Sequence, residues 1–383
     1  MQLERADIVV IGGGCAGLSV AVQLAAQASG RGLQSRSLII LEERSAYKRD
    51  RTWCGWSLEP HVFQSCVDHS WHRWKGTLAG EHAIHEWREH AYEHIRADRF
   101  YAEAEARIAG AGHADLRMGV RVQALTATGG GFEVTTDQGS LSARVVVDTR
   151  PVRSGLEEGG LLQHFGGFEV SAKDAVFDPD TVTLMDFDVD QRGGIHFMYV
   201  LPFSSSRALV ESTFISGSPH DSDVYRDHVM DYVESRLGTE VESVSYVELG
   251  VIPMQPVPRY SPTPGLYRAG GPGGAVKAST GYGFHQIQRQ ACVLAARLLD
   301  ERGSPLAPSR PGVDEWMDRV FLGFLRSNPD RAPEIFHRLL RALSAESLAR
   351  FLMGRATARD RLRMIAAMPK IPFVREAVRE LAS

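Results

Sequence analysis

The chain has 383 residues, 43% of them apolar and 23% charged. This is an ordinary globular composition, with length enough for one large domain or two merged ones around a substantial core. Its 43 basic and 47 acidic side chains leave a formal charge of −4, which disfavours nucleic acid as a partner; no apolar run reaches the ~18 residues of a spanning helix.

Met1 to Arg5 is too short and wrongly flanked for a signal peptide. It leads into Asp7-Ile8-Val9-Val10-Ile11, a run expected of a fully buried parallel strand. Gly12-Gly13-Gly14-Cys15-Ala16-Gly17 follows and fits G-x-G-x-x-G. In that motif Gly12 permits the tight turn, Gly14 lets the backbone approach a pyrophosphate, and Gly17 lets helix and strand pack closely. The Ala/Leu/Val-rich stretch Leu18 to Ala28 predicts a packed helix whose N-terminus faces the negative charge. Leu38 to Leu41 predicts the next buried strand, ending at Glu42, placed to accept hydrogen bonds from an adenosine ribose. The four cysteines, Cys15, Cys54, Cys66 and Cys292, have no C-x-x-C spacing and read as free thiols in a reducing compartment. A cytoplasmic protein is expected.

Residues 61–113 hold eight of the fourteen histidines. His85-Glu86-Trp87-Arg88-Glu89-His90 misses H-E-x-x-H because the second His comes one position late, and His90 with His94 lacks a third ligand, so no metal is expected. Residues 120–148 read as β, ending in Val145-Val146-Val147-Asp148, and three strand-like runs follow between Thr181 and Ser216. Residues 265–300 return to a glycine-rich loop, Gly270-Gly271 and then Ser279-Thr280-Gly281-Tyr282-Gly283-Phe284, before a helical stretch. The apolar strand ending in Asp148 and this second loop favour FAD over NAD, because large flavoproteins place such features at the same points. The pattern predicts an α/β (α+β) fold: a glutathione-reductase-like, Rossmann-type FAD domain made of 1–60, 115–155 and 262–300, interleaved with a β-rich substrate domain of 61–114 and 156–261. Residues 301–383 are expected to form a helical region. From Arg331 onward it carries eleven Lys/Arg against five Asp/Glu, net +6, with apolar residues at helical spacing: Leu339, Leu340, Leu343, then Leu348, Phe351, Leu352, then Leu362, Ile365, Ala366.

Several segments in one order resemble the FAD-dependent lycopene cyclases of bacterial β-cyclase type. Asp50-Arg51-Thr52-Trp53 is similar to the family's D-x-T-W, and Met185-Asp186-Phe187 to its M-D-[FWY]. Tyr199-Val200-Leu201-Pro202 is similar to Y-x-x-P, Leu209-Val210-Glu211-Ser212-Thr213 to L-[IVL]-E-[DES]-T, and Ser279-Thr280-Gly281-Tyr282 to the S/T-T-G-Y flavin loop. Two positions depart from the pattern. Gly271 stands where related flavoproteins carry Asp, and Lys277-Ala278 stand where the family has His-Pro.

The resemblance implies conversion of linear lycopene ends into β-ionone rings, assisted by reduced FAD, with NADPH priming the flavin and no net redox change. It implies cofactor contacts from Gly12, Gly14, Gly17, Glu42, Arg51, Asp148, Gly271, Thr280, Gly281 and Tyr282, and a catalytic role for Glu211. Ring closure needs a proton on one double bond, alkene attack on the cation, and proton loss. A neutral carboxylic acid supplies the proton if an apolar site raises its pKa. Glu211 sits in an apolar strand, sharing a face with Leu209, Thr213 and Ile215. Asp186 either orients Glu211 or relays protons, or else makes a structural hydrogen bond. Trp53, Trp56, Tyr199 and Phe203 either line a polyene tunnel or pack a core. A C40 hydrocarbon has to be collected from a bilayer. The basic tail is therefore expected to dock peripherally on a membrane surface, with Phe351, Leu352, Ile371 and Phe373 entering the interface, or to cap the main domain. A flavin monooxygenase, a prenyl-chain reductase, a cyclase of another polyprenyl chain and a non-catalytic dinucleotide-binding module are the competing readings.

Overall fold

The computed structural model describes residues 3–30, 36–151, 160–192, 194–257, 263–300 and 311–382. The apolar run at the start becomes the strand Glu4–Ile11, which pairs in parallel with Leu38–Glu42 on one side and Gly139–Asp148 on the other. Ala114–Met118 extends the sheet beyond Leu38–Glu42, and Leu266–Arg268 adds in parallel to the end of Gly139–Asp148. The hairpin strands Val122–Thr128 and Gly131–Thr136 continue it antiparallel. Ile8 and Val10 pack under the helices Cys15–Gly30, Ala97–Gly110 and Phe284–Leu299, whereas Val9 and Ile11 pack with Phe132, Val134 and Leu141. A strand buried on both faces reads as an unbroken apolar run, which is why this one was legible.

A second sheet has the order Val241–Met254, Leu161–Ala172, Arg207–Ser216, Ile195–Pro202, Thr181–Asp186, Arg73–Leu78, Glu81–Glu86. All its pairings are antiparallel except Thr181–Asp186 with Arg73–Leu78. Alternation divides its faces. Phe168, Val170, Val210 and Phe214 pack against the helix Ser222–Asp231 and the turn that follows it. Leu184, Phe197, Leu209 and Ile215 face the C-terminal helices instead. A small third sheet, Thr52–Trp56, Tyr92–Arg96 and Val67–Trp71, lies between the two units.

The expected assignment of 61–114 to the substrate unit changes. Helix Ala97–Gly110 puts Phe100, Ala104 and Ile108 into one core with Leu18 and Leu24. It therefore belongs to the glycine-loop unit, and the rest of the segment is divided between the second and third sheets.

The C-terminal region is helical as expected: Gly312–Ser327, Ala332–Ala342, Ala345–Leu352, Ala358–Ala367 and Lys370–Ala382. Local chemistry sets two of its starts. Ser344 accepts from the Ser347 N–H, and Thr357 with Asp360 forms a reciprocal capping box. Leu339, Leu340, Leu343 and Leu348 are buried, but Leu362 and Ile365 are exposed. The apolar stripe thus turns outward along the last two helices.

Gly17 and Gly14 separate packing from ligand space. A Cβ at Gly17 would lie 1.8 Å from the Gly12 carbonyl oxygen, while one at Gly14 would meet nothing within 4 Å. Gly17→Ala is expected to destabilise the fold by about 1–3 kcal/mol, the usual scale of overpacking, and Gly14→Ala to leave unfolding of the ligand-free protein unchanged. Equal midpoints for the two variants in denaturant titrations would contradict this.

Candidate active site

At the edge where the first sheet's parallel strands end, two glycine-rich loops meet. Gly12 has φ +95° and its N–H donates to the Leu41 carbonyl at 2.8 Å; a turn of that hand favours glycine. A Cβ at Gly270 would lie 2.5 Å from the Cβ of Ala16, so Gly270 sits directly against the first loop, and Gly271 follows it. Helices Cys15–Gly30 and Phe284–Leu299 run together, joined by Gln288 Nε2 donating to Ser19 Oγ at 2.8 Å. Glu42 is buried at the end of its strand, where Oε2 accepts from the Gly13 N–H at 2.6 Å and Oε1 from the Arg44 N–H at 2.8 Å. Burial opposes its charge, but hydrogen bonds from the Arg44 side chain and backbone hold its carboxyl below the usual range. Asp148 lies level with Ile11, its carboxylate taken by Arg150 at 2.9 Å and Arg268 at 3.5 Å.

The structure therefore brings Gly12, Gly14, Gly17, Glu42, Asp148 and Gly271 together around open space above Gly14. These residues fit a dinucleotide: two adjacent glycine loops leave room for a pyrophosphate at a helix N-terminus. Arg51 is not among them. It is exposed and donates to the Leu249 carbonyl at 3.2 Å, on the edge strand of the second sheet.

Between this cradle and the second sheet lies a cavity of about 200 Å³. This exceeds the ~150 Å³ that suffices for benzene. The loop Ser279–Gly283 forms one wall; Tyr199, Phe197, Leu184 and Glu211 of the sheet form another; Phe321, Leu340 and Phe351 of the C-terminal helices close it. The hydroxyls of Tyr199, Tyr92 and Tyr282 form a chain, 2.9 Å and 3.0 Å apart. Gly281 has φ +75°, and Thr280 Oγ1 donates to the Leu352 carbonyl at 3.2 Å, tying the loop to the helical cap.

Glu211 is buried and faces this mainly apolar cavity, the only carboxylate among the described residues that line it. Register places Gly167 of the neighbouring strand beside Glu211, and Glu248 beside Gly167 on the other side. Because Gly167 has no side chain, the two carboxyls meet across it: a Cβ there would come within 2.9 Å of Glu211 Cγ and 3.2 Å of Glu248 Cγ. Burial, and then the charge of Glu248, push the Glu211 pKa well above its ordinary value. Burial raises Glu248 too, but hydrogen bonds from Thr52, Tyr246 and Glu211 favour its charged form. Tyr246 donates to Glu248 Oε2 at 3.1 Å, and Oε1 has no aligned partner of its own. Burial of the pair thus favours the neutral form of each acid, and most strongly that of Glu211.

Asp186 does not join this pair. A register shift in its strand puts Leu184 and Met185 on the cavity and turns Asp186 to the opposite face. There it accepts from Tyr232 Oη at 2.9 Å and lies 3.5 Å from Arg236. The structural hydrogen bond is the role it fills, and the expectation that it orients Glu211 is corrected. Of the four aromatics, Trp53 and Tyr199 line the cavity. Trp56 is wholly buried against Trp74 and Tyr92, and Phe203 packs by Trp71 and His94.

Two features escaped the sequence. Glu248 is 4% exposed while its neighbours Val247 and Leu249 are about half exposed. On this edge strand the apolar residues point out and the acid points in, the inverse of the usual pattern. Lys277, which stands where the family has histidine, is buried in an ion pair with Asp318, and Ser279 Oγ donates to the same Asp318 oxygen at 2.6 Å. The departure from the family pattern thus pins the loop to helix Gly312–Ser327.

Comparison with known proteins gives the same frame. A geranylgeranyl bacteriochlorophyll reductase-like protein of Thermoplasma acidophilum superposes with a TM-score of 0.64 at 15% identity, over 100% of this chain and 99% of its own. The p-nitrophenol 4-monooxygenase of Pseudomonas putida does so at 0.61 and 15%, over 97% and 99%. At these identities the likeness is one of fold. The lycopene beta-cyclase of Pantoea ananas is 26% identical over 61% of this chain and 63% of its own length. That of Paracoccus sp. is 28% identical over 55% and 58%. The chain thus spans somewhat less than two thirds of the curated relatives it matches. The family described as lycopene cyclase protein matches residues 7–378. A match running from the first strand to the last helix is more than a shared cofactor module, and the chain belongs to the lycopene cyclase family.

Proposed function

We propose that this chain closes the linear ends of lycopene into β-ionone rings by an acid-initiated, redox-neutral isomerisation, with Glu211 as the acid. The observation that carries this reading is a buried carboxyl at the wall of a mainly apolar, aromatic cavity, where burial pushes its pKa well above the ordinary value. Glu211 delivers its proton to the terminal double bond, and the next alkene attacks the cation. The proton lost from the new ring returns to Glu211, which ends as it began. Tyr199, Phe197 and Tyr282 surround the cavity with ring faces that stabilise positive charge and exclude the water that would quench it. Glu248 is a positioning residue that acts through Glu211. Gly12, Gly14, Gly17, Glu42 and Gly271 would hold FAD, with Thr280, Gly281 and Tyr282 against its ring. Reduced FAD, primed by NADPH, would supply electron density beside the developing cation.

Substrate entry follows from the cap. A second apolar cavity, lined by Met317, Met364, Met368 and Phe373, shares Phe321 and Phe351 with the first. Outside it, Ile371 is 85% and Leu381 77% exposed, and Val374 and Val378 lie on the same exposed helix. Lys370, Arg375 and Arg379 accompany them. Such a face suits an interfacial helix on anionic lipid. Its composition differs from expectation: Phe373 stacks on Phe324 at 4.5 Å, and Phe351 and Leu352 line the Glu211 cavity, so of the expected residues only Ile371 points outward. No helix of the described residues is long and apolar enough to cross a membrane.

Three outcomes are expected. Glu211→Gln, nearly isosteric but unable to donate the proton, should lower cyclisation at least ~10²-fold while the flavin spectrum persists; near-normal β-carotene formation in lycopene-accumulating cells would remove Glu211 from the role. Because the folded-state pKa of Glu211 is raised from 4.5, the stability it contributes is complete below the unfolded value and is lost as pH rises toward the folded one. Thermal midpoints of Glu211→Gln, fixed in the neutral form, should therefore fall less between about pH 5 and 9 than those of the parent; parallel profiles would mean an ionised Glu211. Finally, the protein should sediment with anionic liposomes and be released by salt. Ile371→Asp with Val378→Asp should weaken this, and unchanged recovery would leave the tail as a structural cap.

A further inference from the structure

We infer that His61, Glu93 and His285 form a three-ligand site for a divalent transition-metal ion of the zinc type. The three come from separate elements: the segment after strand Thr52–Trp56, the strand Tyr92–Arg96, and the first turn of helix Phe284–Leu299. Their ligand atoms all lie within 4.8 Å of one another. Glu93 Oε2 is 3.4 Å from His61 Nε2 and 3.5 Å from His285 Nε2. A charge-assisted hydrogen bond would be shorter, about 2.7–2.9 Å. Zinc–ligand bonds of about 2.0–2.1 Å in a tetrahedron set ligand-to-ligand edges of about 3.3–3.4 Å, close to the two edges that Glu93 makes with the imidazoles.

The donor chemistry agrees. Gln64 Nε2 donates to Glu93 Oε1 at 2.5 Å, a supporting bond that orients a ligating carboxylate and leaves Oε2 to the two imidazoles. The His61 side chain is 3% exposed and its Nδ1 has no partner, nor has either ring nitrogen of His285. A Cβ at Gly55 would lie 2.8 Å from His285 Nδ1, so the ring presents Nε2 to Glu93. Two imidazoles and one carboxylate are a borderline ligand set suited to zinc.

The site lies apart from the Glu211 cavity but braces its wall. It opens on a cavity of about 500 Å³, lined among others by Glu59, Gln286, Arg289 and Arg355, that shares no residue with the first. Water there can fill a fourth position. His285 follows Phe284, and Glu93 follows Tyr92, both of which line the Glu211 cavity. An ion here would staple the helix start beside the Ser279–Gly283 loop to the third sheet. The sequence expectation of no metal rested on His85, His90 and His94. His85 and His90 instead bond the carbonyls of Leu340 and Ser57, and His94 sits by Asp68. The ligand set is brought together only by the fold.

The test uses the full-length flavoprotein, stripped with a chelator, dialysed and equilibrated with Zn²⁺. One zinc per chain is expected by elemental analysis. His61→Gln and Glu93→Gln should each bind at least about tenfold more weakly, with flavin absorbance retained. If a variant does not fold, the zinc-edge X-ray absorption spectrum of the parent decides, and should show two imidazoles and oxygen. Stoichiometry well below one, unchanged uptake by both folded variants, or sulfur ligation would overturn the assignment.

Discussion

The approach of the buried Glu211 and Glu248 side chains across Gly167 is the constraint on which the rest of the structure depends. Two carboxylates cannot both ionise this close together in a poorly solvated site, and a lone buried charge is costly. Burial therefore favours the neutral forms, and the two acids differ in their surroundings. Glu248 receives the hydroxyl of Tyr246, whereas Glu211 faces apolar and aromatic side chains. The acid whose pKa burial pushes well above its ordinary value is thus the one on the cavity. Gly167 allows this because any side chain there would drive the carboxyls apart.

The C-terminal helices close one side of the cavity. Phe321, Leu340 and Phe351 complete its wall, and the Lys277–Asp318 ion pair and the Thr280–Leu352 bond hold the loop against them. Replacing a buried ion pair by apolar residues is often harmless, but removing one partner costs ~3–5 kcal/mol. Lys277 and Asp318 are thus bound to each other's presence. The same helices leave Leu362, Ile365, Ile371, Val374, Val378 and Leu381 exposed on another side.

Much of this was legible in the sequence. Glycine motifs and unbroken apolar runs encode local backbone geometry, so the first βαβ unit, the strands around Glu211 and the helical tail could be read in chain order. Residue type could place Glu211 on an apolar face because its strand alternates in the ordinary way. Partnerships between distant strands could not be read. Glu248 lies on an edge strand whose apolar residues point outward, and Asp186 is turned away by a register shift that no local pattern announces. In the tail, period alone could not say which stripe is buried: Leu339 and Leu340 pack inward, while Leu362 and Ile365 repeat at similar spacing and face out. Arg51 and the histidines were placed by neighbours in sequence, whereas the fold assigns them partners far along the chain.

The central claim is that Glu211 starts a reaction that adds a proton and later releases one, with no net gain of hydrogen or oxygen. A single turnover in D₂O, with protein carrying reduced FAD and the product analysed by mass spectrometry, tests it most directly. The account predicts a product with the composition of lycopene and one deuterium for each ring closed, and no labelled product from Glu211→Gln. A product that gains two hydrogens or an oxygen, or one labelled equally by the variant, would contradict it.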